Sequence, residues 1–194
     1  MSTETSGNAV LPFYILCDES GSMDANGGID AINSGLPELH AAIAGDPLVS
    51  DKCRIGLLTF SDIAEELLPL SKMSDVVSMP GCVAKGLSNY GEAFNFLEGV
   101  ISRDIESIKN QGLQPFRPMV FFVSDGRPTD NWQLSYVDTV SKMNSDWPHL
   151  IYIISEGSED VRYRFSDDES GIFIDLPGFL GLSDVILQIL RRLL

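Results

Sequence analysis

The 194-residue sequence predicts an α/β fold: a three-layer, doubly wound, mostly parallel sheet with helices on both faces. Three observations predict it. Short apolar runs alternate with stretches of helical period along the chain, the pattern of strands joined by helical crossovers. Two of those runs, residues 13–17 and 118–123, are apolar without alternation, as strands covered on both faces require. A hydrophobic content of 44% with mean hydropathy near zero supplies one substantial core, and the length is short for two. The expected organisation is therefore a disordered polar tail at residues 1–9 and one domain at residues 10–194.

The first strand, residues 11–17, runs directly into the polar stretch Asp18, Glu19, Ser20, Gly21, Ser22. Ile29, Ile32, Leu36, Leu39 and Ile43 then recur at three and four residues, which predicts a helix with one buried face. Pro37 removes a hydrogen bond inside it, so a kink or restart is expected there, and Gly45, Asp46 and Pro47 end it. Residues 54–60 and 64–70 read as strands joined by a turn at Ser61 and Asp62, and so short a connection makes the pair antiparallel. Residues 71–86 lack a period and contain Pro80 and Gly81, the composition of a loop with at most a turn of helix. Phe94, Leu97, Ile101, Ile105 and Ile108 form a second helical stripe, with Ser88 or Asn89 as its cap and Gly112 as its stop. A fourth strand at 118–123 delivers another polar turn, residues 124–130. A helix through Trp132, Tyr136, Val140 and Met143, strands at 150–154 and 172–176, and a closing amphipathic helix opening at Ser183 complete the alternation.

Candidate chemistry lies where two strands end. In an extended or gently turning backbone Asp18, Ser20 and Ser22 face one way, presenting one carboxylate and two hydroxyls to a common point. Oxygen donors of this kind suit Mg²⁺ or Mn²⁺, and the stretch holds no Cys or His ligand of the sort thiolate- or imidazole-seeking metals prefer beyond the apolar Cys17. The plainer reading is that these residues cap a helix and satisfy a turn. Asp125 occupies the corresponding end of the fourth strand. In open α/β sheets ligands bind beyond the carboxyl ends of the strands where the winding reverses, and if the first and fourth strands are neighbours the two carboxylates meet there.

These residues carry a family likeness. Asp18-Glu19-Ser20-Gly21-Ser22 together with Ser124-Asp125-Gly126 resembles the von Willebrand factor A (VWA) domain and its metal-ion-dependent adhesion site, whose first motif is Asp-x-Ser-x-Ser. Within that superfamily residues 11–22, 59–70 and 123–132 look most like the bacterial TerY-type tellurium-resistance proteins. The resemblance implies a six-stranded sheet of order 3-2-1-4-5-6 with strand 3 antiparallel. It implies metal roles for Asp18, Ser20, Ser22 and Asp125, and a further ligand, usually Thr in the family, at Ser88, with Asn89 as the alternative. It also implies a partner protein whose Asp or Glu carboxylate completes the coordination of Mg²⁺, a kinase or phosphatase of the same gene cluster among the expected partners, in a stress response linked to phosphorylation.

Composition bounds the rest. Asp and Glu outnumber Lys and Arg 28 to 13, which disfavours nucleic acid and anionic membranes as partners. Cys17, Cys53 and Cys82 are dispersed and odd in number, so neither a disulfide framework nor a zinc knuckle is expected. No apolar run is long enough to span a bilayer, and the first nine residues lack a signal core, so the expected location is cytoplasmic. The rival to a binding module is an Mg²⁺-dependent phosphotransferase or phosphatase with Asp18 as nucleophile. Such enzymes want a second carboxylate two residues on, where this chain has Ser20, and no GxxxxGK[ST] loop or Ser-His-Asp set is present, so a non-enzyme is expected.

Overall fold

A strand that must hide both faces needs apolar residues at every position, and β1 (Ala9–Asp18) meets that demand, being buried from Val10 to Asp18 in the computed structural model. The structure describes residues 8–126, 128–143, 146–155 and 171–194; β1 starts at Ala9, and residues 1–7 of the expected tail lie outside the described part. Parallel partners flank it on both sides, β2 (Cys53–Phe60) pairing Leu11 with Cys53 through Asp18 with Phe60, and β5 (Met119–Ser124) pairing Phe13 with Met119 through Cys17 with Val123. Beyond β2 lies β3 (Ala64–Lys72), antiparallel, and beyond β5 lie β6 (His149–Ile154) and β7 (Ile172–Asp175), both parallel. The order β3-β2-β1-β5-β6-β7 is the expected one once a two-residue strand, β4 (Gln114–Pro115), is counted; it pairs with Ala9 and Val10 and makes the sheet seven-stranded where six strands were expected.

Alternation along β1 divides the core. Phe13, Ile15 and Cys17 pack with α2 (Gly28–Ala44) and the closing helix α6 (Leu182–Leu193), whereas Tyr14 and Leu16 pack with α4 (Tyr90–Asn110) and α5 (Gln133–Met143). The three layers follow directly. Gly56 on β2 belongs to the second face, because a Cβ there would stand 2.7 Å from the Tyr14 ring.

Several local expectations are corrected. The helix α2 runs through Pro37 as one element without a restart, since Leu36, Leu39 and Ile43 all remain on its buried stripe and packing holds the turn that lacks a hydrogen bond. Pro47 does not only end α2: with Asp46 accepting from the Val49 amide, it opens a short helix, α3 (Pro47–Lys52). The stretch after β1 folds into another, α1 (Gly21–Ala25). Helix α6 starts after Gly181, whose φ is 77°, and the Ser183 hydroxyl donates to Glu38 instead of capping its own helix. Among the described residues no helix is long and apolar enough to cross a membrane.

Candidate functional site

Asp18 is the last residue of β1, with strands on both sides, and it is completely buried. A carboxylate in that position survives only if donors surround it. The Ser20 amide donates to Oδ1 at 2.8 Å, and the hydroxyls of Ser88 and Ser124 donate to Oδ2 at 2.7 and 2.6 Å. Burial pushes the Asp18 carboxyl above its ordinary value, and the bonds from Ser124, Ser88 and Ser20 pull it back part of the way. Ser124 is itself a hub, accepting from the Tyr90 hydroxyl at 2.8 Å and the Gly126 amide at 3.1 Å.

The two serines of the first loop converge, but not by strand alternation. Ser20 is extended (φ −62°, ψ 159°) at the N-cap of α1, Ser22 lies in its first turn, and their hydroxyl oxygens stand 3.1 Å apart. Ser20, Ser22 and Ser88, with Gly21, Gly86, Leu87 and Thr129, line an open recess of about 310 Å³ at the carboxyl end of the sheet. The capping alternative separates cleanly at residues 88 and 89: Asn89 accepts from the Glu92 amide at 3.1 Å as the N-cap of α4, while Ser88 turns its hydroxyl to Asp18.

Asp125, one residue past β5, is 4% exposed. Its Oδ2 receives the Asn26 side-chain amide at 3.3 Å, and its buried Oδ1 has no hydrogen-bond partner among the described residues. Asn26, just after α1, is oriented in turn by accepting from the Gly28 amide at 3.0 Å. Asp18, Ser20, Ser22, Ser88 and Asp125 are thus drawn to one end of the sheet from three loops. No three His, Cys, Asp or Glu side chains cluster there or elsewhere among the described residues, so the donor set is two carboxylates with serine hydroxyls.

Five supporting residues escape any reading of local spacing. Glu19 is 2% exposed and ties the first loop to Val83 and Lys85, and Asn26 and Ser124 hold the two aspartates. Thr129 donates to the Ser88 carbonyl from its amide (2.9 Å) and hydroxyl (3.0 Å). Asp130, at the end of the polar turn 124–130, caps α4 from a distance, accepting from the amides of Tyr90 and Gly91 at 3.0 and 2.8 Å. The only advance signal for these was composition: polar residues massed after two apolar strands. His40 stays outside the site, bonded to the Val76 carbonyl at 2.9 Å.

Comparison with known proteins is a matter of shape. No protein-family model matches the sequence, and no curated protein sequence does either. Among solved structures the chain is similar to an aerotolerance-related membrane protein of Bacteroides fragilis (14% identity, 94% of this chain and 99% of that one, TM-score 0.63) and to BatB of Bacteroides thetaiotaomicron (13%, 94% and 98%, 0.61). It is also similar to the ArnB paralog VWA2 of Sulfolobus acidocaldarius, at 19% identity over 93% of this chain and 45% of that one, with TM-score 0.56. Strand order, the antiparallel edge strand and these likenesses together define a VWA-like variant of the Rossmann architecture. Identity this low speaks for the fold alone.

Proposed function

We propose that this VWA-like chain is a metal-dependent protein-interaction module, with Asp18, Ser20, Ser22, Ser88 and Asp125 holding one Mg²⁺, or Mn²⁺ in its place. The observation that carries the proposal is Asp125 Oδ1, a buried carboxylate oxygen without a hydrogen-bond partner among the described residues, at the end of the sheet where Asp18 is fully engaged and Ser20, Ser22 and Ser88 line one recess. An orphaned charged acceptor is costly unless something positive completes it. Two carboxylates and neutral hydroxyls match the hard-oxygen preference of these cations. When bound, the ion supplies an open coordination position that an Asp or Glu carboxylate of a partner protein can occupy.

This chain's own groups divide the remaining work. Asp18 fixes the Ser88 hydroxyl, Thr129 fixes the Ser88 backbone, and Asn26 turns Asp125. The binding reading is favoured over the phosphotransferase because Asp18 is completely buried with both oxygens accepting hydrogen bonds, which leaves little freedom for in-line attack. The finer reading is a cytoplasmic TerY-like role in tellurium resistance, with a kinase or phosphatase as partner, supported by the likeness of residues 11–22, 59–70 and 123–132.

Calorimetry on the metal-free chain tests the site: one Mg²⁺ or Mn²⁺ per monomer, abolished by Asp18→Ala and weakened by Ser20→Ala with Ser22→Ala. Undiminished stoichiometric uptake in Asp18→Ala removes the site. Partner binding that persists in chelator and falls steeply with salt would assign recognition to the acidic surface instead.

A further inference from the structure

Resting on that metal reading, we infer that Glu19 is a positioning residue: it fastens the loop bearing Ser20 and Ser22 to the loop bearing Ser88, and so sets the affinity of the site. Glu19 fills the variable second position of Asp-x-Ser-x-Ser, where a spacer is expected, yet it is a carboxylate with 2% exposure. Its side chain turns to the loop that carries Val83 and Lys85. Oε1 accepts from the Val83 amide at 2.8 Å, and Oε2, which makes no hydrogen bond among the described residues, has its charge met by Lys85 Nζ at 3.2 Å, the same ammonium that also contacts Glu65.

The backbone repeats the attachment. The Glu19 amide donates to the Phe60 carbonyl at 2.8 Å, the Glu19 carbonyl accepts from the Lys85 amide at 2.6 Å, and the Gly21 amide donates to the Gly86 carbonyl at 3.2 Å. Residues 19–21 and 83–86 are therefore laced together, and Ser88 follows two residues later with its hydroxyl on Asp18. Gly86 makes the close approach possible, with φ at 62° and Asp62 Cγ only 2.8 Å from where a Cβ would stand. Away from this lacing, the loop is tied by Cys82 to Asn33 and by the Leu87 amide to Asp62.

Charge explains why the residue is buried as it is. A third carboxylate turned toward Asp18 and Asp125 would repel them in the metal-free chain. Facing Val83 and Lys85, Glu19 has its charge matched by a donor and an ammonium, which leaves Asp18 and Asp125 as the two carboxylates at this end of the sheet. Glutamine at this position preserves the acceptor for the Val83 amide; alanine keeps only the backbone bonds and loses both side-chain contacts.

The test is Mn²⁺ titration of the full chain by calorimetry. Glu19→Ala is expected to bind about tenfold more weakly and Glu19→Gln within about threefold of the natural protein, since the amide bond outlasts a half-exposed ion pair. In a Ser88→Ala background the Glu19→Ala loss should shrink below about threefold, because a residue acting through Ser88 has nothing left to position. Amide exchange at Val83 and Lys85 should quicken in metal-free Glu19→Ala while the core strands stay protected. If Glu19→Ala does not fold, Val83→Pro, which deletes the donor of the same bond from an exposed position, should give the same tenfold loss. Unaltered Mn²⁺ affinity in the alanine and proline variants overturns the inference, as does a loss undiminished in the Ser88→Ala background. Natural protein that takes up no Mn²⁺ overturns the metal reading instead, a failure seen before any substitution is made.

Discussion

Ser124→Ala removes one oxygen from the centre of the buried polar cluster, and its effect can be worked out bond by bond. The hydroxyl donates to Asp18 and accepts from Tyr90 and Gly126. A hydrogen bond to a charged group contributes about 1.5–3 kcal/mol, and a buried hydroxyl left without an acceptor costs about 1–3 kcal/mol. Allowing for non-additivity, the loss is about 3 kcal/mol, which for a chain of 194 residues lowers the melting temperature by roughly 6–12 °C. Urea denaturation in chelator followed by far-ultraviolet circular dichroism measures it, with the midpoint falling and the slope unchanged. Adding Tyr90→Phe removes the orphaned hydroxyl, so the double variant should recover about 1 kcal/mol relative to Ser124→Ala. A single-variant loss under about 1 kcal/mol, or a double variant less stable than Ser124→Ala, would refute the hub.

Three further outcomes are expected. Tyr14→Phe deletes the hydroxyl that donates to the buried Asp104 at 3.0 Å, beside Arg103, and should cost about 1–2 kcal/mol in denaturant midpoint; a neutral change would show that Arg103 alone satisfies Asp104. Asp130→Ala frees the amides of Tyr90 and Gly91 and should cost about 1–2 kcal/mol, with weaker Mn²⁺ binding because Ser88 sits at the same helix start; unchanged stability would remove Asp130 as a cap. Asp18 has a folded-state value raised by burial, so its ionised form is penalised in the native chain: stability of the metal-free protein should fall as pH rises from about 4 through that raised value. Asp18→Asn should flatten that slope, melt no lower than the natural protein in chelator, and lose the rise in melting temperature that Mn²⁺ gives; a steeper slope in the variant would contradict the sign.

Much of this architecture is legible from residues alone, and the misses have physical causes. Unbroken apolar runs identify β1 and β5 because burial on two faces leaves no room for polar alternation. The helices α2 and α4 announce themselves by stripes long enough for a period to show. α1 has five residues with only Met23 buried, too few for any period, and α3 hides behind a proline that reads equally as a stop or as a first turn. β4 has only two residues and pairs outside any apolar pattern. In the candidate site, Asp18 and Asp125 are read from their places at strand ends, Ser20 and Ser22 from an extended spacing that the turn of α1 replaces, and Ser88 from the VWA likeness. Glu19, Asn26, Ser124, Thr129 and Asp130 do their work across long sequence separations, as Ser124 does with Asp18 across 106 residues, and no local spacing encodes such a contact.

The position of Asp18 also explains why this corner is the polar one. From β1 the chain leaves through α2 on one face and returns as β2; from β5 it leaves through α5 on the other face and goes on to β6. Winding therefore reverses between β1 and β5, and the helices part there, opening a crevice at the strand ends. The residue that ends β1 is walled by β2 and β5 and has no exposed surface of its own. A carboxylate in that place is tolerable only because the loop before α4 delivers Ser88 and the end of β5 delivers Ser124, each to the same oxygen. Lengthening either loop would withdraw a hydroxyl and force Asp18 toward its neutral form. The topology that makes the crevice thus also dictates which side chains must close around it.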